Sequence, residues 1–280
     1  MAGTLYLVAT PIGNLGDISP RAAETLETVD FIAAEDTRVT VKLLNHLGIK
    51  KPMVSYYRHN ADTRGDELVD RLLGGESCAL VTDAGTPAIS DPGEELVAQC
   101  AAQAIPVVAI PGACAFVNAL AVSGLPTGRF TFEGFLAMNK KNRKAHLESL
   151  KHEERTMVFH EAPHKLRATL DDLAAAFGPE RRIALCRELT KLHEEVRRTT
   201  LGEAVRHYAE HPPKGEFVLV LEGAPPKVQE EYTLEDGLAM VAKLQAQGMS
   251  ARDAVKEAAG VCALSRKALY DRVMQEKKKG

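Results

Sequence analysis

No apolar run in the 280-residue chain approaches the roughly 20 residues that a membrane-spanning helix needs. The opening residues also lack a basic stretch followed by a signal-type apolar segment, which argues against secretion. Five cysteines, at 78, 100, 114, 186 and 262, are dispersed with no CxxC pair. Such a pattern points to reduced thiols in a cytoplasmic protein, not to disulfides or a zinc site. His46, His59, His160, His164 and His193 show no metal-ligand spacing, and Pro163 breaks any helix between His160 and His164. No catalytic metal is expected. Excess charge is missing too: a net charge of −3 does not mark a dedicated nucleic-acid binder. The chain has no GxxxxGK[ST], so a P-loop is not expected.

What is present is a set of three loop motifs, each directly after a short apolar run. Leu5 to Ala9 runs into Thr10-Pro11-Ile12-Gly13-Asn14-Leu15-Gly16-Asp17. Ala79 to Val81 leads to Asp83-Ala84-Gly85-Thr86-Pro87-Ala88-Ile89-Ser90-Asp91-Pro92-Gly93, and Val107 to Ile110 to Pro111-Gly112-Ala113-Cys114-Ala115. Small and turn-forming residues at strand ends let main chain approach a ligand closely. Ligands of open α/β sheets bind beyond the strand C-termini. The three loops therefore predict one pocket built largely from main chain. Glu35 and Asp36 lie about 20 residues past the first loop, where a dinucleotide site would place its ribose-binding acid. Yet Gly13-Asn14-Leu15-Gly16 is not GxGxxG, and Pro11 sits inside the loop. A nucleoside with a compact polar tail and little phosphate fits these loops better.

A hydrophobic content of 45% with 26% charged residues suits a globular protein, and 280 residues fit two or three domains. Residues 1–122 alternate apolar runs with helical segments, the βαβ pattern of a parallel sheet. Ser19-Pro20 starts one helix well, and Gly48 and Gly74-Gly75 end two others. The turn-rich stretch from Val122 to Gly128 marks a junction. Residues 123–224 then read as a mixed α/β domain, with strands expected at Phe130 to Phe135, Thr156 to His160, Arg182 to Cys186 and Glu216 to Glu222. Ala224-Pro225-Pro226-Lys227 reads as a linker. Residues 228–280 hold no strand-like run. Thr233 to Asp236 and Ser250 to Asp253 have capping-box spacing, Gly248 and Gly260 are expected to stop two helices, and Ser265 can cap a third. This is the pattern of a small helix-turn-helix-like bundle.

Basic residues cluster at Lys140, Lys141, Arg143 and Lys144, taken as a loop, and at Arg181-Arg182, Arg197-Arg198 and Lys277 to Lys279. Arg266, Lys267, Tyr270 and Arg272 fall on the last helix. Singly these clusters read as solvated surface, and the terminal bundle as an accessory or dimer contact. Together they permit a phosphate-binding face.

The opening motif, Ala34-Glu35-Asp36-Thr37-Arg38, Ser90-Asp91-Pro92-Gly93, Phe159-His160-Glu161-Ala162-Pro163-His164, Cys186-Arg187-Glu188-Leu189-Thr190-Lys191 and the terminal module together resemble the tetrapyrrole methylase superfamily. The resemblance covers essentially the whole chain. It is narrower toward the branch that methylates the ribose 2′-hydroxyl of a cytidine in 16S rRNA of the small ribosomal subunit. It implies two α/β domains with an S-adenosylmethionine cleft between them, a C-terminal RNA-docking module, a homodimer, and small-subunit rRNA, as the assembled 30S particle, as partner. Carried onto this chain, it implies that Ile12 and Gly13 line the cofactor cleft. Gly85, Thr86, Pro87 and Ile89 would wrap the methionine end. Cys114 and Ala115 would face the ribose or sulfur, and Phe159, His160 and Glu161 the adenine, with Glu216 and Phe217 nearby. Phe159 and Phe217 read equally well as strand core, and Cys114 as a packing residue.

Methyl transfer to a ribose hydroxyl needs an aligned nucleophile and a group to take its proton. Glu35 and Asp36, at a strand end, are the best-placed acids in the sequence, and Arg38 could hold a flanking phosphate. Equally, Glu35 and Asp36 could cap the helix near Thr37 or pair with Arg38. Asp83, Glu133, Lys165, Arg187 and Lys191 are further candidates. A macrocycle methylase and a non-catalytic nucleotide- or RNA-binding protein remain the competing readings.

Overall fold

The computed structural model describes residues 2–225 and 232–277. Two compact units are found, residues 1–224 and 225–280. Pro226 and Lys227 of the expected linker, and Lys278 and Lys279 of the terminal cluster, lie outside the described residues.

In the first unit, five parallel strands form one sheet: β1 (Leu5–Val8), β2 (Phe31–Ala34), β3 (Met53–Ser55), β4 (Cys78–Val81) and β5 (Val107–Ile110). Their spatial order is β3-β2-β4-β1-β5. Helices α1 (Pro20–Thr28), α2 (Thr37–Leu47), α3 (Ala61–Leu73) and α4 (Glu94–Ala102) connect them. Period-2 alternation splits the strand residues between two cores. Leu5, Phe31, Ala33, Cys78 and Leu80 pack with Leu68, Leu72, Leu96 and Cys100, while Val8, Ile32, Ala34, Ala79 and Val81 pack with Leu26, Leu43 and Leu44. A parallel sheet buried on both faces needs such continuous apolar strands.

Local chemistry sets the helix ends. Ser19 accepts from the Ala22 amide with Pro20 at the first helical position, and Gly48 closes α2 in the left-handed region at φ 72°. Gly74 ends α3 in right-handed geometry, and it is Gly75 that takes positive φ.

The next helix, α5 (Ala115–Val122), ends at the junction expected from sequence. Its Ala119 and Leu120 share a core with Val158, Ala184, Cys186, Val218 and Val220 of a second five-stranded sheet. That sheet contains β6 (Phe130–Phe135), β7 (Thr156–Glu161), β8 (Arg182–Arg187), β9 (Glu195–Thr200) and β10 (Phe217–Leu221), ordered β6-β7-β10-β8-β9. Only β6 and β7 run parallel; the other pairings are antiparallel. On its far face α6 (Lys140–Ser149), α7 (Leu166–Phe177) and α8 (Leu201–Glu210) cover Met157, Phe159, Leu185, Phe217 and Leu219. The strand β9 was not expected. A helix was expected from Arg143 to Leu150 after a basic loop; α6 instead begins at Lys140, capped by Asn139, and takes in the basic stretch.

The second unit contains α9 (Leu234–Ala246), α10 (Ala251–Val261) and α11 (Arg266–Lys277) around Val241, Ala254, Val255, Ala258 and Leu269. Thr233 and Asp236 form a reciprocal capping box. Gly260 lies inside α10 instead of stopping it; Cys262 caps that helix. No helix among the described residues is long and apolar enough to cross a membrane.

Phe159 is fully buried in the helix-covered core of the second sheet. Phe159→Ala should lower stability by about 3–5 kcal/mol, as buried aromatic truncations do. Urea unfolding of the two proteins checks this.

Candidate active site

The strand order places β1 between β4 and β5, so the loops leaving these three strands are neighbours by topology. Main-chain hydrogen bonds lock them together. Thr10 and Gly85 exchange two, at 2.9 and 3.0 Å, and the Thr86 hydroxyl donates to the Ala113 carbonyl at 3.1 Å. Gly85, at φ 89°, takes a conformation that a side chain would strain. Gly112 has no room for a side chain: a Cβ there would lie 2.8 Å from the Ala9 Cβ.

Beyond these loops opens a cavity of about 520 Å³, within the range of small-molecule sites. Ile12, Glu35, Asp83, Ala84, Ser90, Asp91 and Ala115 line it from the first sheet's loops and α5. Phe135, His160, Glu161, Ala162, Pro163, Leu189, Glu216, Phe217 and Val218 line it from the second sheet and its loops. The cavity thus draws on both sheets, where the three motifs alone marked only the first.

Of the residues proposed from sequence, Ile12, Glu35, Ala115, His160, Glu161, Glu216 and Phe217 are brought together here. Gly85 and Thr86 sit behind them as loop ties. Gly13 meets the other wall: a Cβ on it would fall 2.4 Å from the Lys191 Cγ. Pro87 is buried, Ile89 is exposed, and Cys114 occupies the N-cap of α5; none of the three lines the cavity. Phe159 packs into the core on the sheet's helix-covered face and does not line the cavity. Asp36 and Arg38 are not brought in. The Asp36 carboxylate caps α2 through the Arg38 amide at 2.8 Å and pairs with the exposed Arg38 guanidinium at 2.6 Å. That guanidinium holds the Asp36 pKa down at about 2, which removes it as a base.

Asp83, Ser90, Asp91 and Phe135 also line it, Asp83 having been offered from sequence as a further base candidate. The first three lie within the second loop motif, which was the available signal. Phe135 is placed by a bulge in β6 between Phe132 and Gly134, which re-aims the chain beside the cavity.

One wall is acidic and incompletely solvated. Burial raises the pKa of Glu35, Asp83 and Asp91, and the carboxylates repel one another. Asp91 rises to about 6: burial contributes most, then the charges of Glu35 and Asp83, against a smaller opposing effect of Arg58. Across the cavity, burial pushes the His160 pKa down, so its imidazole is neutral near pH 7. Its Nε2 is buried without a hydrogen-bond partner, a polar atom left for a ligand. Lys191 Nζ reaches Glu188 at 2.9 Å and Glu216 at 3.0 Å, tying the Leu189 loop to β10.

Comparison with known proteins now applies. Residues 4–205 match the family model described as Tetrapyrrole (Corrin/Porphyrin) Methylases, and residues 233–277 match the RsmI C-terminal HTH domain. A Synechocystis sp. protein named Ribosomal RNA small subunit methyltransferase I is 51% identical, with 96% of each chain covered. The Escherichia coli O157:H7 protein of that name is 42% identical over 98% of this chain and 96% of its own. The chain belongs to this family of methylases. Among solved structures, the Thermus thermophilus uroporphyrin-III-C-methyltransferase aligns with a TM-score of 0.56 at 21% identity, covering 79% of this chain and 94% of its own. A diphthine synthase aligns at 0.59 and 15%, covering 79% and 90%. At these identities the shared property is the methylase fold.

One basic cluster of the methylase domain lies on α6, and the HTH domain carries another. On α6, Lys140, Lys141 and Lys144 are exposed. Arg143 is not available with them: it bridges to Asp172 at 2.5 Å and to the Thr169 hydroxyl at 2.8 Å, fastening α6 to α7. In the HTH domain, Arg266, Lys267 and Tyr270 of α11 line a cavity with Arg252, Asp253, Val255 and Lys256 of α10. Arg272 is exposed but outside this lining, since the helical period turns it to another face. Arg252 and Lys256, four residues apart on α10, were missed because their relation to α11 is tertiary.

The raised pKa of Asp91 has a defined effect on stability. Between its unfolded value of 3.8 and about 6, the folded state binds the extra proton, so stability falls as pH rises. Asp91→Asn removes this cost. The variant should match the parent below pH 3.8 and melt higher above about pH 6, as scanning calorimetry across that window would show.

Proposed function

We propose that the chain is an S-adenosylmethionine-dependent methyltransferase acting on the ribose 2′-hydroxyl of a cytidine in small-subunit ribosomal RNA. Its substrate is the assembled 30S particle, and it works in the cytoplasm as a homodimer. The observation that carries this reading is identity of 42–51% to rRNA methyltransferases over nearly their full length, terminal module included.

The cavity's chemistry supports the cofactor. S-adenosylmethionine supplies, when bound, a methyl group on a sulfonium whose departing thioether is neutral. Ile12, Ala115, Leu189 and Val218 offer apolar surface suited to the nucleoside and thioether. The acidic wall of Glu35, Asp83 and Asp91 complements a cation and would repel a phosphate-rich ligand. The unpartnered Nε2 of His160 can hydrogen-bond an adenine, with Glu161, Glu216 and Phe217 beside it. Gly85 and Thr86 support this cleft from behind through their loop hydrogen bonds.

Cations on α6 and in the terminal module would hold RNA. Lys140, Lys141 and Lys144 sit in the first turns of α6, where positive charge opposes the helix dipole. Their placement costs helix stability, which favours a role outside the fold. Arg266, Lys267 and Arg272 supply further phosphate donors, and Tyr270 a ring for stacking.

The direct test is transfer of a tritiated methyl group to 30S particles from cells lacking the enzyme, with the labelled nucleoside identified. Label on 2′-O-methylcytidine is expected; label on a base, or only on a porphyrinoid, would overturn the assignment. Replacing Lys140, Lys141 and Lys144 by Gln should weaken RNA binding and reduce its log–log salt slope by about two to three. Affinity for S-adenosylmethionine should not change. An unaltered slope would make the α6 cluster ordinary solvated surface.

A further inference from the structure

Five carboxylates border the cavity: Glu35, Asp83, Asp91, Glu161 and Glu216. Four already hold a donor. Glu35 accepts from the Asp83 amide at 3.3 Å, and Asp83 accepts from the Asp36 main chain. Glu161 takes the Ala162 amide at 2.8 Å and the Thr169 hydroxyl, while Glu216 takes Lys191. Asp91 alone among them has no hydrogen bond or ion pair among the described residues. A donor on a carboxylate stabilises its charge and lowers its basicity. Asp91 is the carboxylate of the five with both oxygens free of a donor among the described residues.

We infer that Asp91 is the general base that removes the proton from the hydroxyl undergoing methylation. This rests on the proposed methyltransferase reading and adds a residue to it. The backbone holds Asp91 in a fixed position. Ala88 and Ser90, neither of them glycine, flank it at φ 66° and 67°, and the Ala88 amide donates to the Pro92 carbonyl at 3.3 Å. Gly93, at φ 137°, presses on the sheet so closely that a Cβ would lie 2.7 Å from a Leu80 methyl. Strained non-glycine residues persist where surrounding structure over-determines them, often at functional sites. Charged groups facing Asp91 come from three places: Glu35 at the end of β2, Asp83 after β4 and Arg58 after β3. Their balance with burial leaves Asp91 ionised at neutral pH yet more basic than an ordinary carboxylate, the condition an efficient base requires.

In the step, the hydroxyl oxygen forms its bond to the methyl carbon as the carbon–sulfur bond breaks. The bonding pair stays on sulfur, which leaves as a neutral thioether, and the hydroxyl proton passes to an Asp91 oxygen. Sulfonium and carboxylate charges are thereby both neutralised, so no ion is created in the cleft.

The experiment is single-turnover methylation of unmodified 30S particles across pH, alongside calorimetry with S-adenosylmethionine. Asp91→Asn should slow transfer by about 10²–10⁴-fold while cofactor affinity stays close to that of the parent. The parent's acidic limb should lie near pH 6. Glu35→Gln should move it to lower pH, because one repelling charge is gone. An Asp91→Asn rate within about threefold of the parent would overturn the role, as would a limb unmoved by Glu35→Gln. A rate loss matched by an equal loss of cofactor affinity would make Asp91 a binding residue instead. A parent that binds the cofactor but methylates no particle overturns the substrate reading and this role together; an active parent with an active variant overturns only this role.

Discussion

The pair of hydrogen bonds between Thr10 and Gly85 is the constraint on which the site depends. It joins the loops after β1 and β4, which the strand order has already made neighbours. Thr86 then ties in the loop after β5, and α5 leaves that loop to pack beneath the second sheet. One chain of short-range bonds thus runs from the first sheet to the helix that carries the second. The cavity's two walls are held by this route, so their spacing is set by main chain and not by the ligand. A side chain at Gly112 would push on Ala9 and disturb this spacing from behind.

Two kinds of cost are concentrated at this place. Ala88, Ser90, Glu188 and Thr190 all adopt positive φ without being glycine, and they belong to the loops that bring Asp91 and Leu189 to the cavity. Three carboxylates are crowded and partly desolvated on one wall. Neither arrangement helps folding. The two well-packed sheet cores offset them, which is the usual division between a stable scaffold and a strained site.

Much of this was legible in the sequence, for identifiable reasons. Strands β1, β2, β4 and β5 are short apolar runs ended by turn residues, because a doubly covered parallel sheet leaves no polar face. By contrast β9, Glu-Val-Arg-Arg-Thr-Thr, hides its identity, since an edge strand with half-exposed residues need not be apolar. Only the first turn of α6 looked like a loop, because its cations and Asn142 carry no apolar period; Asn139 is its cap. Ile12, Ala115 and His160 were found through motif resemblance. Asp91 stood inside a quoted motif yet was passed over. Its distinguishing property, the lack of any donor, depends on where Glu35, Asp83 and Arg58 come in space. Asp36 looked equivalent to Glu35, but the local geometry of Arg38, two residues on, consumes it.

A net charge of −3 conceals a separation of tasks. The cavity wall is acidic, whereas clusters of cations lie on α6 and around the α10–α11 cavity of the terminal module. On the proposed function, an RNA backbone attracted by those cations would meet repulsion at the cleft itself. Under that function, a substrate ribose would enter with its flanking phosphates held away from the acidic wall. That favours a nucleotide turned out of its stack over a stretch of backbone lying along the cleft. The same acids that exclude phosphate suit a sulfonium and a departing proton. The proposed function thereby divides affinity for RNA and the chemistry on it between oppositely charged surfaces of one chain.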